Sequence, residues 1–141
     1  MGLLDKILKK EVKRNKDAGT VLERYWKSFK HALSGIVYCF KYEHNMIIIL
    51  IATIIVCILG FDLGISSGEW LFIITICGAI SACEMINSSI EAVVDLVTSD
   101  YHELARIAKD TASAATLFLC LTAVVGGLII FLPKFMIVFG G

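Results

Sequence analysis

The chain has 141 residues, of which 57% are hydrophobic and only 18% are charged, and its net charge is zero. The mean hydropathy is +0.81, whereas soluble domains are closer to about 45–50% apolar and about 25% charged. This composition excludes a disordered chain, a nucleic-acid binder with a basic surface and a multi-domain soluble enzyme. It predicts an all-α integral membrane protein.

Two basic amphipathic segments come before any long apolar stretch. Apolar residues recur at helical spacing over residues 3–12 and again over residues 22–40, and Asp17-Ala18-Gly19 separates the two segments. Basic amphipathic helices that carry aromatic residues lie in the membrane interface. We therefore predict interfacial helices within residues 1–45.

The second of these helices has a recognisable start and one polar face of interest. Thr20 and Glu23 have the spacing of a capping box, in which each side chain bonds the other residue's backbone. Arg24 and His31 are seven residues apart, so they share one face of this predicted helix.

Three long apolar stretches follow, and they predict a three-span membrane domain over residues 46–141. About 20 helical residues cross a hydrocarbon core that is about 30 Å thick. The second stretch reaches this length only if it continues past Glu84, so a carboxylate must lie inside the membrane zone. The predicted spans cover about residues 46–63, 69–97 and 111–132.

The distribution of basic residues predicts the orientation. Ten of the 13 Lys and Arg residues precede the first span, and the link between the first two spans has none. The second link holds Arg106 and Lys109, and Lys134 alone follows the third span. The positive-inside rule then predicts a cytoplasmic N-terminus and second link, and a C-terminus outside the cell.

The second span carries a polar stripe. Glu84, Asn87, Glu91 and Asp95 are spaced by three, four and four residues, so they share one face of a helix. If Trp70 marks the outer interface, Glu84 lies about 21 Å and Glu91 about 31 Å along the helix. Glu84 is therefore expected inside the inner leaflet, and Glu91 at its boundary with water.

Carboxylates at this depth favour chemistry over packing. A charged residue inside the membrane costs roughly 2.5–3.5 kcal/mol, so it is usually functional or paired. Clustered carboxylates suit a hard divalent cation, and a carboxylate in apolar surroundings can serve as a general base. Glu84 is the better base because it is deeper, and Glu91 is the better metal ligand. The alternative is a stripe that only hydrogen-bonds neighbouring helices.

Two further charges lie beside this zone, and each has two interpretations. Lys109, at the start of the third span, could bind phosphate or act only as a positive-inside anchor. Glu43, just before the first span, could reach the zone of Glu91 or be a simple helix-end charge. The common nucleotide-binding loop motifs do not occur in the sequence.

The segment Glu84–Asp95, followed by Tyr101-His-Glu-Leu104 and Ala108-Lys-Asp110, closely resembles the prokaryotic diacylglycerol kinase family. That family includes the undecaprenol kinases of Gram-positive bacteria, and the similarity extends over roughly residues 24–132. The resemblance implies a homotrimer with three spans per subunit, whose active sites are shared between neighbouring subunits at the cytoplasmic interface. It also implies transfer of the γ-phosphoryl group of ATP to a lipid hydroxyl with Mg²⁺.

The resemblance further implies a role for individual residues. Glu84 corresponds to the general base, which also contacts the lipid substrate. Glu43 and Glu91 correspond to the metal ligands that bridge the ATP phosphates, and Asn87 and Asp95 to polar positions beside the reaction centre. The implied nucleotide-binding residues are Arg24, His31, Glu43, Glu91, Asp100, Tyr101, His102, Lys109 and Asp110.

The same resemblance bears on the lipid and on the location. Ser113 corresponds to a position that faces the lipid substrate. The stretch Val94-Asp-Leu-Val-Thr98 and the basic N-terminal extension are more similar to the Gram-positive branch. This favours undecaprenol over diacylglycerol as the substrate, and it implies a bacterial plasma membrane location.

Two other classes of function compete with a kinase. An ion or proton transporter would use the carboxylate stripe, but it needs a polar path through the bilayer. The first span has only Thr53 in its middle, and the third has only Ser113, Thr116 and Thr122 from residue 112 onward. A non-enzymatic scaffold would leave the acidic stripe without a purpose.

Overall fold

A computed structural model describes residues 20–140 of the chain. The predicted first interfacial helix and the Asp17-Ala18-Gly19 break lie outside these residues. Within them the chain forms four helices, α1 (Val21–Tyr42), α2 (His44–Asp62), α3 (Ser67–Val97) and α4 (Glu103–Phe139). Over the described range, α2, α3 and α4 are long and apolar enough to cross a membrane. The all-α architecture with three spans is confirmed to this extent.

Helix α1 begins at the predicted capping box. The Thr20 hydroxyl accepts a hydrogen bond from Glu23 N at 3.3 Å, and the Glu23 carboxylate accepts one from Thr20 N at 2.9 Å. The ring of Trp26 stacks on Phe29, with the ammonium group of Lys30 5.7 Å from the Trp26 centroid. The chain divides into two compact units after Tyr38, so the last turn of α1 belongs to the unit that contains the three spans. The interfacial location of α1 stays a prediction.

A tight turn joins α2 to α3 and makes them antiparallel neighbours. Gly64 adopts a φ of 58°, which a residue with a Cβ rarely adopts. A capping box then starts α3: the Ser66 hydroxyl accepts from Glu69 N at 3.3 Å, and Glu69 accepts from Ser66 N at 2.6 Å. We call this side of the membrane domain the turn end.

Helix α3 is the central helix and packs against both α2 and α4. Near the turn end a buried cluster joins the three spans, and its members are Ile65, Ile73, Ile130 and Phe131. In the middle of α4, Gly126 leaves room for the ring of Phe72: a Cβ added there would lie 2.1 Å from that ring. The outward faces of α2 and α4 carry exposed isoleucine and leucine side chains, as expected for surfaces that meet lipid.

Helix α4 is longer than the predicted third span at both ends. It begins at Glu103 because His102 caps it, with Nδ1 accepting from Leu104 N at 3.2 Å. Residues 103–110, interpreted from the sequence as a linking segment, are therefore helical. The side on which α4 begins, together with the start of α2 and the C-terminal half of α3, is called the charged end below.

The helix also continues through Pro133 to Phe139. Proline lacks the N–H that would bond the carbonyl four residues earlier, so it commonly ends or kinks a helix. Here the following turn is fixed from outside, because Lys134 forms an ion pair with Glu69 at 3.4 Å and Phe135 packs against the buried cluster.

Candidate active site

The polar stripe lies on one uninterrupted helix, as the spacing predicts. Helix α3 carries Glu84, Asn87, Glu91 and Asp95, and their burial decreases in that order. Glu84 is 2% exposed and Asn87 is 5% exposed, whereas Glu91 is half-buried and Asp95 is exposed. The protein therefore encloses the innermost acid of the stripe and leaves the outermost one exposed, while the membrane depth of each acid stays a prediction.

Glu84 is held by a residue of a different span. Asn45, in the first turn of α2, donates a hydrogen bond from Nδ2 to Glu84 Oε1 at 2.6 Å. Within residues 20–140, Glu84 Oε2 accepts no hydrogen bond, and it is not among the fully enclosed atoms that lack a partner. One carboxylate oxygen is therefore anchored, and the other is available to an incoming group.

Glu43 lies in the same neighbourhood as Glu84, near the thiol of Cys39. Burial raises the pKa of the Cys39 thiol, and the negative charges of Glu43 and Glu84 raise it further. Glu43 is the half-buried N-cap residue of α2, but its side chain makes no capping hydrogen bond. Its carboxylate is therefore not committed to the helix terminus.

Two buried polar atoms, one on α3 and one on α4, have no hydrogen-bond partner among the described residues. Asn87 donates from Nδ2 to Glu91 Oε1 at 2.9 Å, but no described residue bonds its Oδ1. The hydroxyl of Thr116, a buried residue of α4, is also without a partner in the described part of the chain. Buried polar groups are nearly always hydrogen-bonded, so each such atom needs an explanation.

A cavity of about 510 Å³ opens at the charged end, between the end of α3, the linker and the start of α4. Ligand pockets commonly have volumes of roughly 300–1,000 Å³, so this space can hold a molecule of nucleotide size. Five residues predicted to bind nucleotide or to lie beside the reaction centre line it: Asp95, Asp100, Tyr101, His102 and Lys109.

Charged side chains that line this cavity form ion pairs. Lys109 Nζ lies 2.5 Å from Asp95 Oδ1 and joins α4 to α3. Arg106 pairs with Glu103 at 2.5 Å and with Asp110 at 2.6 Å along α4. A carboxylate therefore holds each cation in position and balances its charge. When an anionic ligand binds, its oxygens would replace one of these carboxylates as the partner of the cation.

Two of the remaining predicted residues lie on α4 and two on α1. Ser113 is exposed on α4, and the carboxylate of Asp110 is engaged by Arg106. Arg24 and His31 are exposed on α1 in the unit that ends at Tyr38, and their predicted nucleotide contacts stay predictions.

Metal ligands are also not brought together by the chain alone. Among the residues that the structure describes, no three Asp, Glu, His or Cys side chains converge so as to hold a metal ion. Glu43 and Glu91 are the two predicted ligands, and their roles stay predictions.

Sequence reasoning missed two residues of this region. Asn45 contacts Glu84, and Arg106 lines the cavity. Asn45 could have been noticed as an amide two residues after Glu43 at the mouth of an otherwise apolar span. Arg106 entered the sequence interpretation only as a charge that helps to fix the orientation.

Comparison with known proteins completes the description. The family model for prokaryotic diacylglycerol kinase matches residues 30–131. The undecaprenol kinase of Bacillus subtilis (strain 168) is 38% identical over 120 residues, which is 85% of this chain and 98% of that protein. The diacylglycerol kinase of Pseudomonas aeruginosa is 32% identical over 105 residues, covering 74% of this chain and 85% of the relative. The diacylglycerol kinase of Haemophilus influenzae is 34% identical over 113 residues, which is 79% of this chain and 96% of that protein.

Proposed function

This chain belongs to the prokaryotic diacylglycerol kinase family, and we propose that it transfers the γ-phosphoryl group of ATP to the hydroxyl of undecaprenol. Membership makes it a membrane lipid kinase, a phosphotransferase with an alcohol as acceptor. The observation that carries the site assignment is the buried Glu84, which has one oxygen anchored and one unengaged, on the helix that also lines the nucleotide-sized cavity. The relative named an undecaprenol kinase supports the choice of lipid.

In this mechanism Glu84 is the general base. As the primary hydroxyl of the lipid attacks the γ-phosphorus, Glu84 Oε2 accepts the hydroxyl proton. The new oxygen–phosphorus bond forms as the bond from the γ-phosphorus to the β,γ-bridging oxygen breaks, and ADP leaves. Phosphoryl transfer depends mainly on positioning and on stabilising negative charge, so a well-placed base and cationic side chains near the phosphates both contribute to it.

The cavity at the charged end would bind the nucleotide. Lys109 and Arg106 are the cations available to phosphate oxygens, because charge-assisted hydrogen bonds to phosphate are among the strongest in proteins. The linker residues Asp100, Tyr101 and His102 would line the rest of the nucleotide.

The side-chain oxygens of the charged end suit Mg²⁺. Glu43 and Glu91 supply carboxylate oxygens, and the unpaired Asn87 Oδ1 is an additional oxygen acceptor in the same region. Mg²⁺ is usually held by one or two carboxylates together with substrate phosphates rather than by an all-protein cage, which agrees with the lack of a three-residue cluster within residues 20–140. When bound, Mg²⁺ neutralises phosphate charge.

The orientation and assembly follow the sequence argument. The N-terminus and the linker before α4 are proposed to face the cytoplasm of a bacterial cell, and the C-terminus to face outward. The active unit is proposed to be a homotrimer with shared sites.

The decisive assay is turnover by the purified protein in detergent micelles with MgATP. Undecaprenol and diacylglycerol are compared side by side, because several relatives are named diacylglycerol kinases. We expect a higher kcat/KM for undecaprenol, and the reverse order would reassign the substrate to diacylglycerol.

The base is tested with Glu84→Gln, which should abolish turnover with either lipid while the protein still assembles. Asp62→Asn is the matched control, since Asp62 is an exposed acid at the turn end, and it should retain turnover. Near-native activity of Glu84→Gln would refute the proposed base.

Shared sites are tested by mixing two inactive variants, Glu84→Gln and Glu91→Gln, before assembly. If the two carboxylates of one site come from different subunits, mixing should restore part of the turnover. Activity that stays at the level of each variant alone would show that one subunit supplies both carboxylates.

A further inference from the structure

We propose that Asn45 is a positioning residue for Glu84, whose side-chain amide holds the carboxylate so that its second oxygen faces the acceptor hydroxyl. The proposal rests on the proposed function of Glu84 as general base. It assigns to the first span a direct part in orienting the base, in addition to the span's role in anchoring the protein.

The contact is short and joins two spans. Asn45 Nδ2 lies 2.6 Å from Glu84 Oε1, and the two residues are 39 positions apart in the chain. The next residue, Met46, is 1% exposed. Met46 lines a small cavity between α2 and α3 together with Gly78 and Ser81. The first turn of α2 therefore lies against α3, and Asn45, an exposed residue of this turn, reaches Glu84 from it.

The polar side chains of α3 one turn from Glu84 donate to other partners, and Asn87 among them donates to Glu91. Ser81 and Ser88 are the hydroxyls one turn before and one turn after Glu84. Ser81 Oγ donates to the carbonyl of Cys77 at 2.9 Å, and Ser88 Oγ donates to the carbonyl of Glu84 at 3.0 Å. Both hydroxyl protons are thus committed to the backbone, and the side-chain hydrogen bond that Glu84 accepts within the described residues comes from α2.

The two inner acids of the stripe, Glu84 and Glu91, each accept a hydrogen bond from one amide. Asn87 holds Glu91 within α3, whereas Asn45 holds Glu84 across the α2–α3 interface. In both pairs the amide donates to Oε1, and no described residue donates to the second carboxylate oxygen. A glutamate side chain has three rotatable bonds, and this anchor removes most of the freedom that would otherwise turn Oε2 away from the acceptor.

The test is the Asn45→Leu variant, which keeps a similar volume but removes the donor. We expect kcat for the lipid to fall by about tenfold or more, with the KM for MgATP changed by less than about threefold. A lost donor to a charged group is commonly worth this much, and the nucleotide cavity is not altered. Asn45→Gln keeps an amide donor and should recover part of the kcat. His44→Leu, at the exposed neighbouring position, is the matched control and should leave kcat unchanged.

A double variant distinguishes a positioning role of Asn45 from a merely structural one. If Asn45 acts through Glu84, Asn45→Leu should lower kcat much less in the Glu84→Asp background, where the shortened carboxylate no longer meets the amide. Effects that simply multiply would overturn the proposal, as would a native kcat in Asn45→Leu. If Asn45→Leu does not assemble, Asn45→Ala is measured with the same two outcomes.

The outcomes also separate this proposal from the proposed function. Activity retained by Glu84→Gln would refute the base itself. An inactive Glu84→Gln together with a fully active Asn45→Leu would refute only the positioning role.

Discussion

Lys109 provides the sharpest test of nucleotide binding at the charged end. Its ammonium group lies 2.5 Å from Asp95, and the two side chains are 37% and 65% exposed. If Lys109 serves only as a membrane anchor, its replacement should cost little beyond this ion pair. If it binds phosphate, the loss should appear in the KM for MgATP.

The two roles differ in magnitude. An exposed ion pair contributes about 0.2–1 kcal/mol to stability, so Lys109→Met should lower the free energy of unfolding by no more than about 1 kcal/mol. A hydrogen bond to a charged partner contributes about 1.5–3 kcal/mol. Converted at 1.4 kcal/mol per factor of ten, loss of a phosphate contact raises the KM for MgATP by about 10- to 150-fold.

The assay is steady-state ADP release in micelles at saturating lipid, together with thermal unfolding of each variant. Asp95→Asn, which frees Lys109 from its partner, should leave the KM for MgATP unchanged or lower it. Lys134→Met is the matched control at the turn end, where the lysine pairs with Glu69 at 3.4 Å, and its KM should stay within about twofold. A Lys109→Met variant with native KM, or an equal rise in Lys134→Met, would refute phosphate binding by Lys109.

Three further outcomes follow from the structure. Thr116→Val removes a buried hydroxyl that has no partner among the described residues. Because an unpaired buried polar group costs about 1–3 kcal/mol of stability, the unfolding midpoint should be retained or rise. A fall would show that substrate or water bonds this hydroxyl. Burial and, to a smaller extent, the charges of Glu43 and Glu84 raise the pKa of the Cys39 thiol above its ordinary 9.0. The folded state therefore holds this proton more tightly, and the free energy of unfolding should fall as the pH rises past that value. Unfolding scans of Cys39→Ala should lack this pH-dependent fall. Ser66→Ala breaks the cap of α3 and should cost about 1 kcal/mol of stability with kcat unchanged, because it lies at the turn end.

The features that periodicity controls were predictable from the sequence. The stripe on α3 depends on spacings within one helix, and 3.6 residues per turn fixes which side chains share a face. The capping box of Thr20 and Glu23 is a local pattern as well, and the structure confirms it.

Contacts between helices were not predictable in the same way. The bond from Asn45 to Glu84 depends on how far α2 slides along α3, and no periodicity in either segment specifies that offset. The extension of α4 was missed for a different reason. Residues 103–110 are polar, so hydropathy excludes them from a span, although the His102 cap and the Arg106 ion pairs make them helical.

The length of α3 explains why one helix can serve both an oily alcohol and a soluble nucleotide. Its 31 residues measure about 46 Å, which exceeds a hydrocarbon core of about 30 Å by about three turns. If Trp70 lies at the outer interface, that excess emerges at the charged end and carries Glu91 and Asp95 into the aqueous zone, while Glu84 stays inside. Glu84 and Asp95 are then about 16 Å apart along one rigid axis. A loop between the two zones would leave the proposed base free to move relative to the proposed nucleotide cavity, whereas an unbroken helix fixes both with the backbone hydrogen bonds that the membrane already requires.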